Sequence, residues 1–265
     1  MAYKDYWETR LPQSYITTEQ PGTAEYEHKV NTIRYRKHQY IKRFIAPQGL
    51  AGKKVLEIGS GIGTDLLYFK NCGAEVTGID VTKSSIEICK KRFAFYGFSG
   101  EFRQMDAEKL SFADECFEVV YSFGVLHHLE NTAKAIQEIH RVLKPNGHAF
   151  IRVNAKGWWY YLRIMLWQGI IRRKLFHLPK QEVINQNTTI AGASPLVKYY
   201  SKREVRELFR LFTTLRIERN YLGGKFAFLP YWLGERILAK IAGNHWMVEI
   251  AKNHKQPTSG FTSDS

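Results

Sequence analysis

Between residues 53 and 153 the chain alternates short apolar runs with stretches of helical period. Strands are expected at 53–58, 75–79, 101–104, 116–122 and 148–153, and helices at 64–71, 83–96 and 132–143. Strands alternating with helices imply an α/β architecture, a doubly wound, mostly parallel sheet with helices on both faces. The punctuation agrees. Asn131 stands where it would cap the third helix, and Lys144-Pro145-Asn146-Gly147 is a helix stop followed by a turn.

Outside that stretch the rhythm changes. Residues 1–24 show no periodicity, whereas 25–45 read as one helix with Tyr26, Val30, Ile33, Ile41 and Ile45 along a partial apolar stripe, an N-terminal lid or brace. After residue 153 the βα alternation is interrupted, and it resumes with a helix at 202–212. The runs 215–221 and 246–251 are expected as an antiparallel pair closing the sheet. The organisation is therefore a lid (1–50), a core (51–154), an insertion after the fifth strand (155–200), a C-terminal helix and strands (201–251), and a frayed tail (252–265).

The chemistry-bearing motif is the run Val55-Leu56-Glu57-Ile58-Gly59-Ser60-Gly61-Ile62-Gly63-Thr64-Asp65, a strand turning through glycines into a helix. Glycine lets backbone N–H groups approach a ligand closely because no Cβ intervenes. A dinucleotide fingerprint, GxGxxG, fails in both registers: position 64 is Thr64 and position 66 is Leu66. The acid that ends the strand, Glu57, would repel a pyrophosphate and suits a cationic ligand.

From Glu57 to Gly63 the chain resembles motif I of class I S-adenosylmethionine-dependent methyltransferases, in the methyltransferase type 11 subgroup that includes the ubiquinone and menaquinone enzymes. Asp80, closing Val76-Thr77-Gly78-Ile79-Asp80, matches the acid with which that family binds the ribose hydroxyls. Asp106, followed by Ala107, matches the reader of the adenine amino group. The runs 117–128 and 138–148 are similar to the family's fourth-strand and fifth-strand segments, so the resemblance covers 53–153. It implies a Rossmann-like methyltransferase fold of seven strands with an N-terminal helical lid and a cap inserted after strand five. It also implies S-adenosyl-L-methionine as cofactor, held by Glu57, Gly59, Ser60, Gly61, Gly63, Asp80, Val81, Asp106, Ala107, Ser122 and Phe123.

Transfer from a sulfonium starts from an activated electrophile, so in-line positioning supplies much of the rate and no catalytic constellation is compulsory. His127 is the first candidate for a general base or acceptor-orienting group, with packing as its alternative role. Adjacent histidines rarely aim at one ion, and no metal is expected. Cys72, Cys89 and Cys116 are far apart, without a CxxC pair, and read as reduced core residues.

In such enzymes the lid and the insertion face the acceptor, and here both are rich in rings. Tyr15, Tyr35, His128, Trp158 and Tyr199 are the substrate-binding candidates. The formal net charge is +14, and residues 156–210 carry 11 Lys/Arg against 3 Asp/Glu, so +8 falls in that segment. Within it, 158–171 is apolar nearly all round and is followed by Arg172-Arg173-Lys174. Two readings stay open, a buried cap helix or a helix lying in an anionic membrane interface. The expectation is a methyltransferase acting on a small or lipid-like acceptor. Two alternatives are an RNA methyltransferase and a non-catalytic S-adenosylmethionine-binding interaction protein. Ser122-Phe123-Gly124-Val125 stands where base-methylating relatives carry Asn/Asp-Pro-Pro-Tyr/Phe, which argues against nucleic acid. Residues 1–10 carry charges and rings in place of a signal peptide's apolar run, so a cytoplasmic location is expected, with peripheral contact to an anionic membrane as an option.

Overall fold

β1 (Lys54–Ile58) is buried along all but its first residue, as a central strand with helices over both faces must be. It pairs in parallel with β2 (Glu75–Asp80) on one side and β4 (Phe117–Phe123) on the other. β3 (Glu101–Gln104) lies beyond β2 and β5 (Leu143–Asn154) beyond β4. β6 (Thr213–Asn220) and β7 (His245–Ala251) complete the order β3-β2-β1-β4-β5-β7-β6, with β7 antiparallel to both neighbours. The winding reverses between β1 and β4, so a crevice opens at the strands' carboxyl ends there. The computed structural model describes residues 7–8, 17–45, 49–156, 164–173, 176–179, 183, 196–221 and 237–253.

Helices cover both faces of this sheet. α2 (Tyr40–Ile45), α3 (Thr64–Asn71) and α4 (Lys83–Phe95) pack Ile41, Phe44, Phe69 and Phe93 against Val55, Tyr121 and Phe150. On the opposite face α5 (Thr132–Val142) and α6 (Lys202–Leu208) bury Ile136, Ile139, Val205 and Phe209 against Leu56, Val120, Ile151 and Val248. Asn131 caps α5 as expected, its side chain accepting from the Lys134 N–H at 3.0 Å. A short α7 (Ala239–Ala242) precedes β7.

Three expectations are refined. The single helix at 25–45 is two, α1 (Ala24–Lys37) and α2, broken at His38. His38 and Tyr40 are both buried in one aromatic cluster, and residues two apart cannot share a helix face. The turn at 144–147 lies within β5 as an excursion: pairing jumps from Phe117↔Leu143 to Val119↔His148, and Asn146 takes φ 61°. The helix expected to reach 212 ends at Leu208, after which Phe209 and Phe212 turn into the core. Of the apolar run 158–171, a π-helical segment spans Ile164–Ile171, while 157–163, and with it Trp158, lies outside the described residues. Leu166, Ile170 and Ile171 are 45%, 55% and 62% exposed. Among the described residues no helix is long and apolar enough to cross a membrane.

α1 (with Thr23 as its cap) is tied to the core by charge as well as by packing. Arg92 of α4 is fully buried; its Nε and Nη2 donate to the Glu27 carboxylate of α1 at 2.8–3.0 Å. Its Nη1 donates to the Ile62 carbonyl and to Thr64 Oγ1, both at 2.7 Å, so one guanidinium holds α1, α4 and the glycine bend together. Removing one partner of such a pair strands the other in low dielectric, at a cost of about 3–5 kcal/mol. Arg92→Ala should lose that much stability in urea unfolding, and a loss below about 1 kcal/mol would show that the pair does not brace the fold.

Candidate functional site

The glycine bend leaves β1 with Gly59, Gly61 and Gly63 all at positive φ. A Cβ on Gly59 would come within 2.1 Å of Val125 Cγ2, whereas one on Gly61 would meet nothing within 4 Å. Gly59 is thus required by the fold, whereas the space beside Gly61 is open. Gly63 sits at the N-cap of α3, away from the opening.

In front of the bend lies a cavity of about 180 Å³. Gly59, Asp80, Val81, Asp106, Ala107, Phe123 and His128 line it together with Trp7 and Gly124. Asp80 Oδ2 accepts from the Gly61 N–H (2.9 Å), and Oδ1 accepts from the Thr82 N–H and hydroxyl (3.0 and 2.8 Å). Burial raises the Asp80 pKa and these hydrogen bonds oppose the shift. Asp106 Oδ1 accepts from the Glu108 N–H at 2.9 Å, which fixes the turn that also presents Ala107.

Glu57 stands behind the bend, buried, with Oε2 unpartnered. Burial first, then Asp65 and Asp80, hold its carboxyl well above the usual range, and only Arg34 and the Leu66 backbone N–H oppose them. Arg34 is already shared with Asp65, onto which the Tyr121 hydroxyl also donates at 2.9 Å. Ser60 Oγ is a second buried atom here without a partner. A cation placed before the bend would relieve this concentration of negative charge, and a phosphate would aggravate it.

Other residues singled out from sequence lie elsewhere. The Ser122 hydroxyl is buried and donates to the Ile58 carbonyl (3.2 Å), outside the cavity lining. Tyr35 donates to the Thr64 carbonyl at 3.2 Å beneath Lys42, so its ring braces α1 on α3. Tyr199 sits on the segment 196–200, which returns to the sheet, with Lys198 N–H on the His127 carbonyl (2.8 Å). Tyr15 and Trp158 lie outside the described residues.

The two histidines face different ways. His128 lines the cavity; its Nδ1 lies 2.9 Å from the Leu196 carbonyl, which can only accept, so Nδ1 carries the hydrogen and Nε2 is the basic atom. Burial pushes its pKa down to about 4. His127 is buried outside that lining and accepts from Arg152 Nη1 at 3.3 Å through Nε2; burial, then His128 and Arg152, hold it neutral.

Sequence reasoning gives Trp7 and Glu8 no role of this kind, because the contacts they make are long-range. The Trp7 ring meets His128 edge-on at 5.1 Å, and the Glu8 carboxylate accepts from the Lys83 and Ser84 N–H groups (3.0 and 3.1 Å). Glu8 thereby satisfies orphan donors at the start of α4 and lays Trp7 over the cavity. Arg152 also escapes notice, because a charge in a strand gives no local sign of burial. Among the described residues no three His, Cys, Asp or Glu are grouped to hold a metal ion.

The seven-stranded doubly wound sheet ending in an antiparallel pair is the Rossmann-like fold also found in solved methyltransferases. Residues 56–151 match the family described as a methyltransferase domain. The chain is 37% identical over 106 residues to a ubiquinone biosynthesis O-methyltransferase of Pseudomonas aeruginosa, covering 39% of this chain and 45% of that protein. It is also 37% identical over 94 residues to a sterol 4-C-methyltransferase of Caenorhabditis elegans, covering 35% and 28%. The chain thus spans less than half the length of these curated relatives. In fold it is similar to the magnesium protoporphyrin IX methyltransferase of Synechocystis PCC 6803, solved with bound SAH, at TM-score 0.62 and 15% identity over 94% of this chain and 98% of that one.

The depressed His128 pKa fixes a sign for stability. The unfolded chain takes up the proton as pH falls through about 6.5, while the folded chain resists until about 4, so stability is lost on acidification across that window. Between pH 7 and pH 5 wild type should lose about 2 kcal/mol relative to His128→Asn. Urea unfolding of both proteins at the two pH values checks this, and a constant difference would mean that His128 titrates as if exposed.

Proposed function

We propose that this protein is an S-adenosylmethionine-dependent methyltransferase acting on a small or lipid-like acceptor by direct displacement at the sulfonium methyl. The observation that carries the reading is the cavity lined by Gly59, Asp80 and Asp106, at a strand that also buries Glu57 with Oε2 unpartnered. The family match at 56–151 supports it, as do relatives named for small-molecule or lipid-like substrates.

In this reading Asp80 takes the ribose hydroxyls with the lone pairs its three hydrogen bonds leave over. Asp106 and the Ala107 N–H take the adenine, with Val81 and Phe123 as apolar walls. Gly59, Ser60 and Gly61 present the bend to the methionine end, and Glu57 offsets its positive charge. When bound, the cofactor supplies an activated methyl group. Trp7 excludes water above the cavity, and His128 orients the acceptor from its Nε2. An imidazole with a pKa near 4 is a weak base, so orientation rather than proton removal is the role assigned to it. His127 is assigned the task of holding Arg152.

Peripheral contact with an anionic membrane is a second reading, favoured by exposed Leu166, Ile170 and Ile171 beside Arg172 and Arg173. Wild type should co-float with anionic liposomes at low salt and detach at high salt; absence of flotation at low salt removes this reading.

Asp80→Ala should weaken S-adenosylmethionine binding by about 1.5–3 kcal/mol, roughly 10- to 150-fold, because a charged hydrogen-bond partner of the ribose is lost. Titration calorimetry reads the affinity, and formation of S-adenosylhomocysteine with a cell extract as acceptor source reads turnover. Unchanged affinity in the variant would contradict the assignment of Asp80, and binding without turnover would favour a non-catalytic binder.

A further inference from the structure

Arg152, near the carboxyl end of β5, is only 8% exposed. Its Nη1 donates to His127, its Nε is buried without an acceptor, and among the described residues no carboxylate pairs with it. A buried guanidinium in this state is unfavourable, because lost solvation is not replaced. Burial brings its pKa down to about 10, which leaves it charged at neutral pH. Arg34, whose like charge also disfavours a charged Arg152, is engaged with Asp65.

The surroundings are rich in donors and rings. Phe123 pairs with Arg152 in register, its ring centroid 5.4 Å from the guanidinium carbon. Two residues further along β5, Asn154, His245 and Asn220 lie side by side, and Asn220 Nδ2 is a second buried donor without an acceptor. His127 Nδ1 is a third. The Tyr221 ring stacks on His245 at 4.5 Å, and the Tyr40 hydroxyl lies 2.7 Å from His245 Nδ1. This region adjoins the cofactor cavity: a Cβ on Gly124, a lining residue, would stand 3.5 Å from Arg152 Nη1.

We propose that Arg152 is the anion receptor of the acceptor subsite, and that the acceptor is a planar organic acid whose carboxylate is held along the Nε–Nη2 edge of the guanidinium. The inference rests on the methyltransferase reading, since that reading makes the neighbouring cavity the source of the methyl group. His127 occupies Nη1 and leaves the Nε–Nη2 fork, the geometry that matches a carboxylate with two parallel hydrogen bonds. The stacked rings of Tyr221 and His245 would border the carbon body. The polarity of the whole site follows, with acids gathered around the cofactor and the Arg152 guanidinium facing the acceptor.

The test uses the full chain, wild type and Arg152→Gln, each titrated with S-adenosylhomocysteine, benzoate, the neutral isostere benzamide, and inorganic phosphate. Benzoate should bind wild type at least tenfold more tightly than benzamide or phosphate. Arg152→Gln should abolish that preference while S-adenosylhomocysteine affinity stays within twofold. Arg152→Lys, which keeps the charge and loses the fork, should retain only part of the preference. Equal binding of benzoate and benzamide to wild type overturns the proposal without reference to any variant, and so does undiminished preference in Arg152→Gln. A phosphate preference overturns the carboxylate assignment. Failure of S-adenosylhomocysteine to bind wild type counts against the methyltransferase reading and is scored separately, because the benzoate comparison is run without it.

Discussion

Carboxyl groups held out of water at the end of a central strand are the constraint around which this protein is built. Glu57 lies behind a glycine bend with one oxygen unpartnered, and Asp65 and Asp80 add to the field around it. Arg34, whose charge opposes that field, is divided between Asp65 and a stack on Phe123 at 4.1 Å. Such an arrangement persists only if the surrounding fold over-determines it. The braces are visible: Arg92 fixes the bend to α1 and α4, and the Asp80 carboxylate links it to the turn after β2.

The same logic, with its sign reversed, governs the far side of the site. Arg152 and the neutral imidazoles of His127 and His128 gather where β4 and β5 end, and there the unsatisfied atoms are donors. Two ligands of opposite character could therefore meet across Gly124, each drawn to its own half.

Much of the core was legible because its signals are local. Period-two and period-3.6 patterns located the strands and helices, Asn131 announced its helix, and Asp80 and Asp106 followed the glycine bend at readable intervals. What escaped depends on long-range contact. The break at His38 is caused by an aromatic cluster that His38 forms with rings from α2, β4 and β7, and nothing in the neighbouring sequence announces it. Glu8 caps a helix that begins at Lys83, and Arg152 looks in sequence like any charge on a strand. The adjacent pair His127-His128 could be located but not apportioned, since which ring faces the cavity is decided by the return of residue 196 to the sheet.

The most direct measurement is titration calorimetry of the wild-type chain with S-adenosylmethionine near pH 7, repeated in buffers of different ionisation enthalpy. A cation arriving before Glu57 lowers a carboxyl pKa that burial had raised, so binding should release protons to the buffer. The account predicts binding accompanied by proton release, and no binding of NAD. Absence of binding, or preference for the pyrophosphate-bearing dinucleotide, would contradict it.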